Sequence, residues 1–262
     1  MRLFDTHCHF ETTDADEIAA VLARAKAAGV EKLMAVGGSP ALNAAAVAAA
    51  EVGEGQKTED RGQWDESPAV LCAVGFDRDQ IHLSANQTIK QSNNPTISPS
   101  AIGEIGLDYH YSPGTRKAQM ELFAAQLEEA RRRDLPVVIH TREAADDTIA
   151  LLREIPSRGV IHCFTGSPDE AKAYLDLGFS ISISGIVTFK AADNVRESAL
   201  VVPDDRILIE TDAQFLAPVP MRGTANEPAF VKYTCEFLAK LRGMAPDDFA
   251  ELTFANAERL FS

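Results

Sequence analysis

Leu3-Phe4-Asp5-Thr6-His7-Cys8-His9-Phe10 opens the chain and reads as a β-strand. Side chains alternate faces along a strand, so His7 and His9 share one side while Cys8 points away. Two imidazoles one pleat apart can bind a single divalent cation through their ring nitrogens. Taken alone, H-x-H is equally compatible with two polar residues on a half-buried strand. The choice between these rests on how the other strands of the chain end.

Apolar runs of strand length alternate with longer segments of helical period along the whole sequence. Strands are expected at 3–9, 33–36, 69–76, 101–104, 136–140, 159–163, 179–184 and 206–211. A helix from Asp16 places Ile18, Val21, Leu22 and Ala25 on one face, with Gly29 as its C-cap. Ser39-Pro40 offers an N-cap and an N1 proline to an Ala-rich helix. The polar stretch 53–67 reads as a surface loop anchored by Trp64, and 77–100 as a short helix with a polar tail. Met120, Phe123, Leu127 and Ala130 mark one face of a long helix, and Ile149 and Leu152 belong to the next. Ser167-Pro168-Asp169-Glu170 supplies an N-cap, an N1 proline and a capping-box glutamate, and Gly178 a stop. A short helix around Val195 and a final helical pair follow, the first striped by Phe230, Thr234, Phe237 and Leu241.

Strand-then-helix units recur at roughly 33 residues each, which fits a single-domain α/β (β/α)8 TIM barrel spanning 1–262. The rival is an open doubly wound sheet, which would carry a glycine-rich phosphate loop after its first strand. No G-x-G-x-x-G follows Phe10.

With 45% apolar and 24% charged residues the composition is that of a globular protein, and the net charge is −14. No basic stripe for holding nucleic acid is visible, so such a substrate would be gripped locally, by metal ions and a few arginines or lysines. Cys8, Cys72, Cys163 and Cys235 form no C-x-x-C and suit buried thiols in a reducing compartment. No signal peptide and no apolar run of about 18 residues is present, so a cytoplasmic protein with no membrane contact is expected. No obligate protein partner is evident.

The strand ends carry the chemistry. The first ends in His7 and His9, the fourth in Glu104, the fifth in His140, the sixth in His162 and the eighth in Asp212. In a parallel barrel these C-terminal ends meet on one face, where such folds place their sites. Each histidine alone could be a satisfied core residue; six ligand-type side chains on five strand ends point to a metal site. Imidazole with carboxylate suits zinc, manganese or iron, whereas carboxylates alone would point to magnesium or calcium. Six ligands exceed one tetrahedral site, so two divalent cations bridged by a carboxylate are expected, with zinc, manganese or magnesium the candidates. Asp212 is placed to orient the attacking water and take its proton.

Phe-Asp-Thr-His-Cys-His at 4–9, Gly-Glu-Ile-Gly-Leu-Asp-Tyr at 103–109, His-Thr-Arg-Glu at 140–143, His-Cys-Phe-Thr-Gly at 162–166 and Glu-Thr-Asp at 210–212 resemble the TatD family of metal-dependent hydrolases. Ser-Gly-Ile-Val-Thr-Phe at 184–189 and Arg222-Gly223, with Asn226 and Pro228, extend the resemblance over nearly the whole chain. It implies an amidohydrolase-type barrel with His7, His9, Glu104, His140, His162 and Asp212 as ligands and Glu104 as the bridge. It also implies metal-dependent deoxyribonuclease or related phosphodiesterase activity. Arg142 and Arg222 match family positions that could hold a phosphate, against plain salt-bridged or solvated arginines. Tyr109 and Phe164 could stack on a base, or simply pack around the mouth. His82 and His110 read as surface histidines.

Two positions depart from the family pattern. Gly75-Phe76-Asp77-Arg78 stands where Gly-Val-His-Pro is usual, placing an anion where a donor might face a phosphate unless Arg78 compensates. Gln214-Phe215 stands near the usual Pro-Tyr. Three functions therefore remain: hydrolysis of phosphodiesters at DNA ends, hydrolysis of an amide, ester or lactone, and metal binding without turnover.

Overall fold

The computed structural model describes residues 1–55, 67–83 and 97–261. Its centre is one eight-stranded sheet in which every strand pairs in parallel with its sequence neighbour, in the order β1 to β8. The strands are β1 Leu3–Cys8, β2 Val30–Gly38, β3 Ala69–Phe76, β4 Ala101–Asp108, β5 Val137–Arg142, β6 Gly159–Ile161, β7 Ser180–Ile183 and β8 Ile207–Ile209. Helices α1 Ala15–Ala27, α2 Pro40–Gly55, α3 Arg116–Arg133, α4 Ala145–Glu154, α5 Pro168–Asp176, α6 Asp193–Val201, α7 Val231–Arg242 and α8 Pro246–Phe261 lie between and after them. This is the expected (β/α)8 barrel. Trp64 and most of the 77–100 tail fall outside the described residues; the short helix expected there is a 3₁₀ turn at Arg78–Gln80.

Caps follow the residues that predicted them. Asp14 accepts from the N–H groups of Asp16 and Glu17 at the start of α1. Ser167 and Glu170 form the reciprocal capping box of α5. Gly29 and Gly178 take φ of 92° and 87° just past α1 and α5, where a Cβ would be strained.

Two apolar layers result from the strand alternation. Outward side chains such as Leu3, Leu33, Cys72, Ile102, Ile139, Ile161 and Ile207 pack against the helices. Inward ones, Phe4, Met34, Val36, Ala73, Ala101, Val138, Val160 and Leu208, fill the barrel floor. The floor is closed from below by Phe254, Ala257 and Phe261 of α8. Phe4 meets the rings of Phe254 and Phe261 at 5.9 and 6.2 Å, and Arg2 lies 3.7 Å over Phe254. Above the floor, Thr6 on β1 bonds Ser182 Oγ (3.1 Å) and the Ile209 carbonyl (3.0 Å) across the interior.

The seam between β8 and β1 closes at the C-terminal rim. Asp212 N–H donates to His7 O and His9 N–H to Ala213 O, both at 2.9 Å, with a parallel bridge between Cys8 and Ala213. The fully buried Asp5 carboxylate reinforces it, accepting from Thr211 N–H (2.9 Å), Thr211 hydroxyl (2.6 Å) and His7 N–H (3.3 Å).

Strand boundaries differ from the sequence reading at β2, which runs longer at both ends than the expected 33–36, and where the candidate ligands sit. β4 runs on to Asp108, pairing Asp108 with Arg142, after a register shift between Ile102 and Ile105 that lies at Glu104. Gly106 permits this close pairing: with φ 140°, a Cβ there would come within 1.9 Å of His140 O. β6 and β8 stop earlier than expected, because side-chain carboxylates replace the ladder. Cys163 N–H donates to Glu210 (2.6 Å) and Thr211 N–H to Asp5 (2.9 Å). Among the described residues no helix is long and apolar enough to cross a membrane, and all four cysteines are free thiols.

If α8 is the floor of the barrel, Phe254→Ala leaves a cavity beneath Phe4 and lowers unfolding free energy by about 3–5 kcal/mol in urea denaturation. A loss under about 1 kcal/mol would show that the floor holds without it.

Candidate metal centre

All six ligand candidates converge at the rim. His7 Nε2 and His9 Nε2 lie 3.1 Å apart. Glu104 Oε2 stands 3.6 Å from His7 Nε2 and 3.5 Å from His9 Nε2, and Asp212 Oδ1 stands 3.8 and 3.6 Å from the same atoms. A four-coordinate cation with bonds of ~2.0–2.2 Å to nitrogen and oxygen sets its ligands about 3.3–3.6 Å apart. This set therefore has the size of a cation cage. A second set faces the other oxygen of the same glutamate. His140 Nδ1 and His162 Nε2 lie 3.1 and 3.2 Å from Glu104 Oε1 and 3.3 Å from each other. His7 and His162 stack across the centre with centroids 3.9 Å apart. The donor set fits divalent metal, with Glu104 shared between the two groups.

Further residues aim these ligands. His9 Nδ1 bonds Val36 O (2.9 Å), leaving Nε2 for the centre. Asp108 Oδ2 accepts from His140 Nε2 (3.0 Å), and its Oδ1 accepts the N–H groups of His110 and Tyr111 (each 2.9 Å). Glu210 Oε1 lies 3.4 Å from His162 Nδ1. Carboxylates behind metal-binding imidazoles fix the tautomer and ring orientation. Neither Asp108 nor Glu210 was singled out from the sequence, although both lie in the motifs quoted above. Glu210 could have been found, since it stands two residues before Asp212 and immediately follows β8.

Burial and charge act in opposition here. Burial pushes Glu104 up, yet the charge of His162 and hydrogen bonds from His140, His162 and His7 hold it well below the carboxylate range. Burial also penalises ionised Asp212, but a hydrogen bond from His9 and the charges of His7 and His162 keep it below its ordinary value. Asp108 is held at about 2 by the His140 and Tyr111 hydrogen bonds despite burial. Burial and the neighbouring His162 push His7 below its ordinary value. Three residues just past the ligand strands, Glu143, Cys163 and Asp212, take φ of 54°, 42° and 56°, the left-handed region that side chains seldom occupy.

The substrate candidates scatter more widely. Arg142 ends β5 with its guanidinium 4.8 Å from the Tyr111 ring. Arg222 is exposed, 4.0 Å over Phe189. Tyr109 turns its hydroxyl to Asp147 (2.6 Å), which also holds Arg116. Phe164 is buried beside Tyr174. His82 is exposed, and His110, also exposed, pairs with Glu143 (2.7 Å). Asp77 caps the 3₁₀ turn by accepting from Asp79 N–H (2.8 Å). Burial raises its carboxyl to about 6 against that hydrogen bond, and the Glu104 charge adds to the rise. Asn226 ties down the loop after β8 by donating to the carbonyls of Thr211 (2.8 Å) and Phe215 (2.6 Å).

An eight-stranded parallel barrel that gathers imidazoles and carboxylates at cation spacing on its C-terminal rim defines a metal-binding TIM-barrel protein. Residues 4–262 match the family model of TatD related DNases. The chain is 36% identical over 268 residues to YabD of Bacillus subtilis, an uncharacterized metal-dependent hydrolase, covering 99% of this chain and 98% of that one. With YcfH of Escherichia coli K12, likewise an uncharacterized metal-dependent hydrolase, identity is 48% over 164 residues, 62% of each chain. This chain thus matches less than two thirds of YcfH's length. A 3′-5′ ssDNA/RNA exonuclease, TatD of Rahnella sp., is 39% identical over 173 residues, 62% of this chain and 65% of that one. The crystal structure of the TatD homologue YjjV from Escherichia coli superposes with a TM-score of 0.83 at 28% identity, covering 99% of this chain and 98% of that one. The chain belongs to the TatD family of metal-dependent hydrolases.

Because Asp108 orients His140, Asp108→Asn should weaken metal binding about 10–100-fold, read by competition with a chromogenic chelator. Glu104→Ala should lower the metal retained per chain in elemental analysis. Unchanged content would count against a shared ligand.

Proposed function

We propose that the protein hydrolyses phosphodiester bonds at the ends of single-stranded DNA, using two divalent cations that share Glu104. The observation that carries this reading is the division of the Glu104 carboxylate, one oxygen toward His7 and His9 and the other toward His140 and His162. Divalent metal held by these residues would supply acidified water and offset the charge of a phosphoryl group. The chain's own residues supply the rest. Asp212, ionised across the neutral range, orients the attacking water and takes its proton as the new phosphorus–oxygen bond forms. Its left-handed backbone and its N–H bond to His7 O fix the direction of that carboxylate. The broken bond is phosphorus to the 3′-oxygen of the preceding nucleotide, which leaves as a hydroxyl after gaining a proton from solvent. Support also comes from the Rahnella relative, described as an exonuclease on single-stranded DNA and RNA. Arg142 and Arg222 are the cations proposed to meet phosphate, and Tyr109, whose N–H donates to the Arg142 carbonyl, is proposed to support Arg142.

A second reading, hydrolysis of a small amide, ester or lactone, draws on Asp77. Its carboxyl and Glu104 both flank Gly38, so an extra acid borders the centre. A phosphodiester is less welcome beside an ionised Asp77 than a neutral substrate is.

The test is to strip the protein with chelator, restore zinc, manganese or magnesium singly, and offer 3′-labelled single-stranded DNA, a model phosphodiester, and model esters and amides. Cleavage of esters alone would replace the nuclease reading with the second one. In the active form, Asp212→Asn should lower turnover about 10²–10⁴-fold while most of the metal stays bound. Near-normal turnover would remove Asp212 as the base.

A further inference from the structure

The loop after β4 leaves an aromatic ring in solvent beside the metal centre: Tyr111 is 64% exposed. Its backbone is nevertheless tethered, because its N–H donates to Asp108 Oδ1 (2.9 Å) while Asp108 Oδ2 holds His140 (3.0 Å). The ring is thus one carboxylate removed from a ligand imidazole. Two guanidinium groups face it, Arg142 Cζ at 4.8 Å and Arg78 Cζ at 5.9 Å from the centroid.

Neither cation is consumed by a close ion pair. Arg78 Nε is buried without a hydrogen bond, and its nearest carboxylates are those of Asp79 at 3.6 Å and Asp108 at 3.9 Å. Among the described residues, no carboxylate lies within ion-pair distance of Arg142. Of the neighbouring acids, Asp77 caps its turn, Asp108 is shared between His140 and a longer contact to Arg78, Asp79 reaches Arg78 only at 3.6 Å, and Glu143 pairs with His110. An exposed aromatic flanked by two arginines is how single strands are gripped without sequence readout, the base on the ring and the backbone on the cations.

We propose that Tyr111, Arg78 and Arg142 form a nucleotide platform at the rim of the metal centre, which stacks a base of single-stranded nucleic acid on Tyr111 and holds a phosphate between the two arginines. This rests on the nuclease reading above and names how its substrate is seated. The platform also gives Arg78 a role opposite to that of Asp77, supplying positive charge where that residue supplies negative.

The test measures binding apart from cleavage. Metal-free protein in chelator is titrated, by fluorescence anisotropy, into a labelled single-stranded DNA hexamer and into one with abasic sites at its 3′-terminal positions. Wild type should bind the base-bearing strand roughly tenfold more tightly. Tyr111→Ala should bind both strands alike, and Tyr111→Trp should restore the preference. Arg78→Gln should weaken both equally and reduce the salt slope by about 0.7. Equal affinity of wild type for the two strands, or a preference that survives in Tyr111→Ala, would overturn the platform. DNA cleavage by metal-restored protein alongside either of those results would remove the platform and leave the nuclease reading. Absence of cleavage with every metal, alongside a Tyr111-dependent preference, would do the reverse.

Discussion

A carboxylate that is almost fully buried and still ionised governs this molecule. Glu104 is removed from water among His7, His9, His140 and His162, and an isolated charge in such a place is strongly unfavourable. Its ionised form survives because imidazoles surround it on both sides. Those imidazoles in turn require acceptors, which explains the further carboxylates: Asp108 behind His140 and Glu210 behind His162. Four acids, Glu104, Asp108, Glu210 and Asp212, thereby face four histidines in one rim. Histidine protons can balance that charge in part, but ligand imidazoles are neutral, so bound cations balance it better. The network is a structural demand for positive charge that divalent metal would meet.

The barrel seam obeys the same demand. β8 contributes only three ladder residues, yet the chain beyond it must hold Asp212 against a histidine pair on β1. Backbone bonds at His7 and His9 and the clamp of Asp5 on Thr211 close the circle at that point. Burial without a compensating cation pushes the Asp5 carboxyl up to about 8, even with three donors upon it. Its hydrogen bonds thus serve geometry at the seam. Fold closure and ligand placement are one set of contacts, and a change that loosens the seam also moves two ligands.

The six candidate ligands were legible because each stands at or just past the end of an apolar run, and a parallel barrel collects those ends. What the alternation could not show was where backbone pairing stops. After His162 and Glu210 it stops early, since side-chain carboxylates accept the Cys163 and Thr211 N–H groups that a neighbouring strand would otherwise take. At Glu104 it continues, because a register shift turns the glutamate inward and lets Leu107 and Asp108 remain in the sheet. Asp108 and Glu210 therefore escaped notice as partners of histidines: their roles depend on which strand lies beside them, a long-range fact that local period does not encode. Tyr109 and Tyr111 make the same point. Two residues apart in one loop, one is tied to Asp147 and the other left in solvent, and the difference comes from Arg116 and Asp108.

Net charge alone does not decide what the rim can hold; the groups close to it do. A total of −14 opposes long-range attraction of a polyanion, but screening confines that field to about 8–10 Å at ordinary ionic strength. Close to the cluster the groups that matter are the acids Glu104, Asp108, Glu210, Asp212 and Asp77, the arginines Arg78 and Arg142, and any cations bound between the histidines. On the proposed nuclease reading, an acidic surface would limit nonspecific adsorption of nucleic acid. Such an enzyme would gain little from electrostatic steering and would depend on contacts made after encounter. On that same proposed reading, a preference for ends over continuous strand follows from having only Arg78, Arg142 and bound cations there to neutralise phosphates.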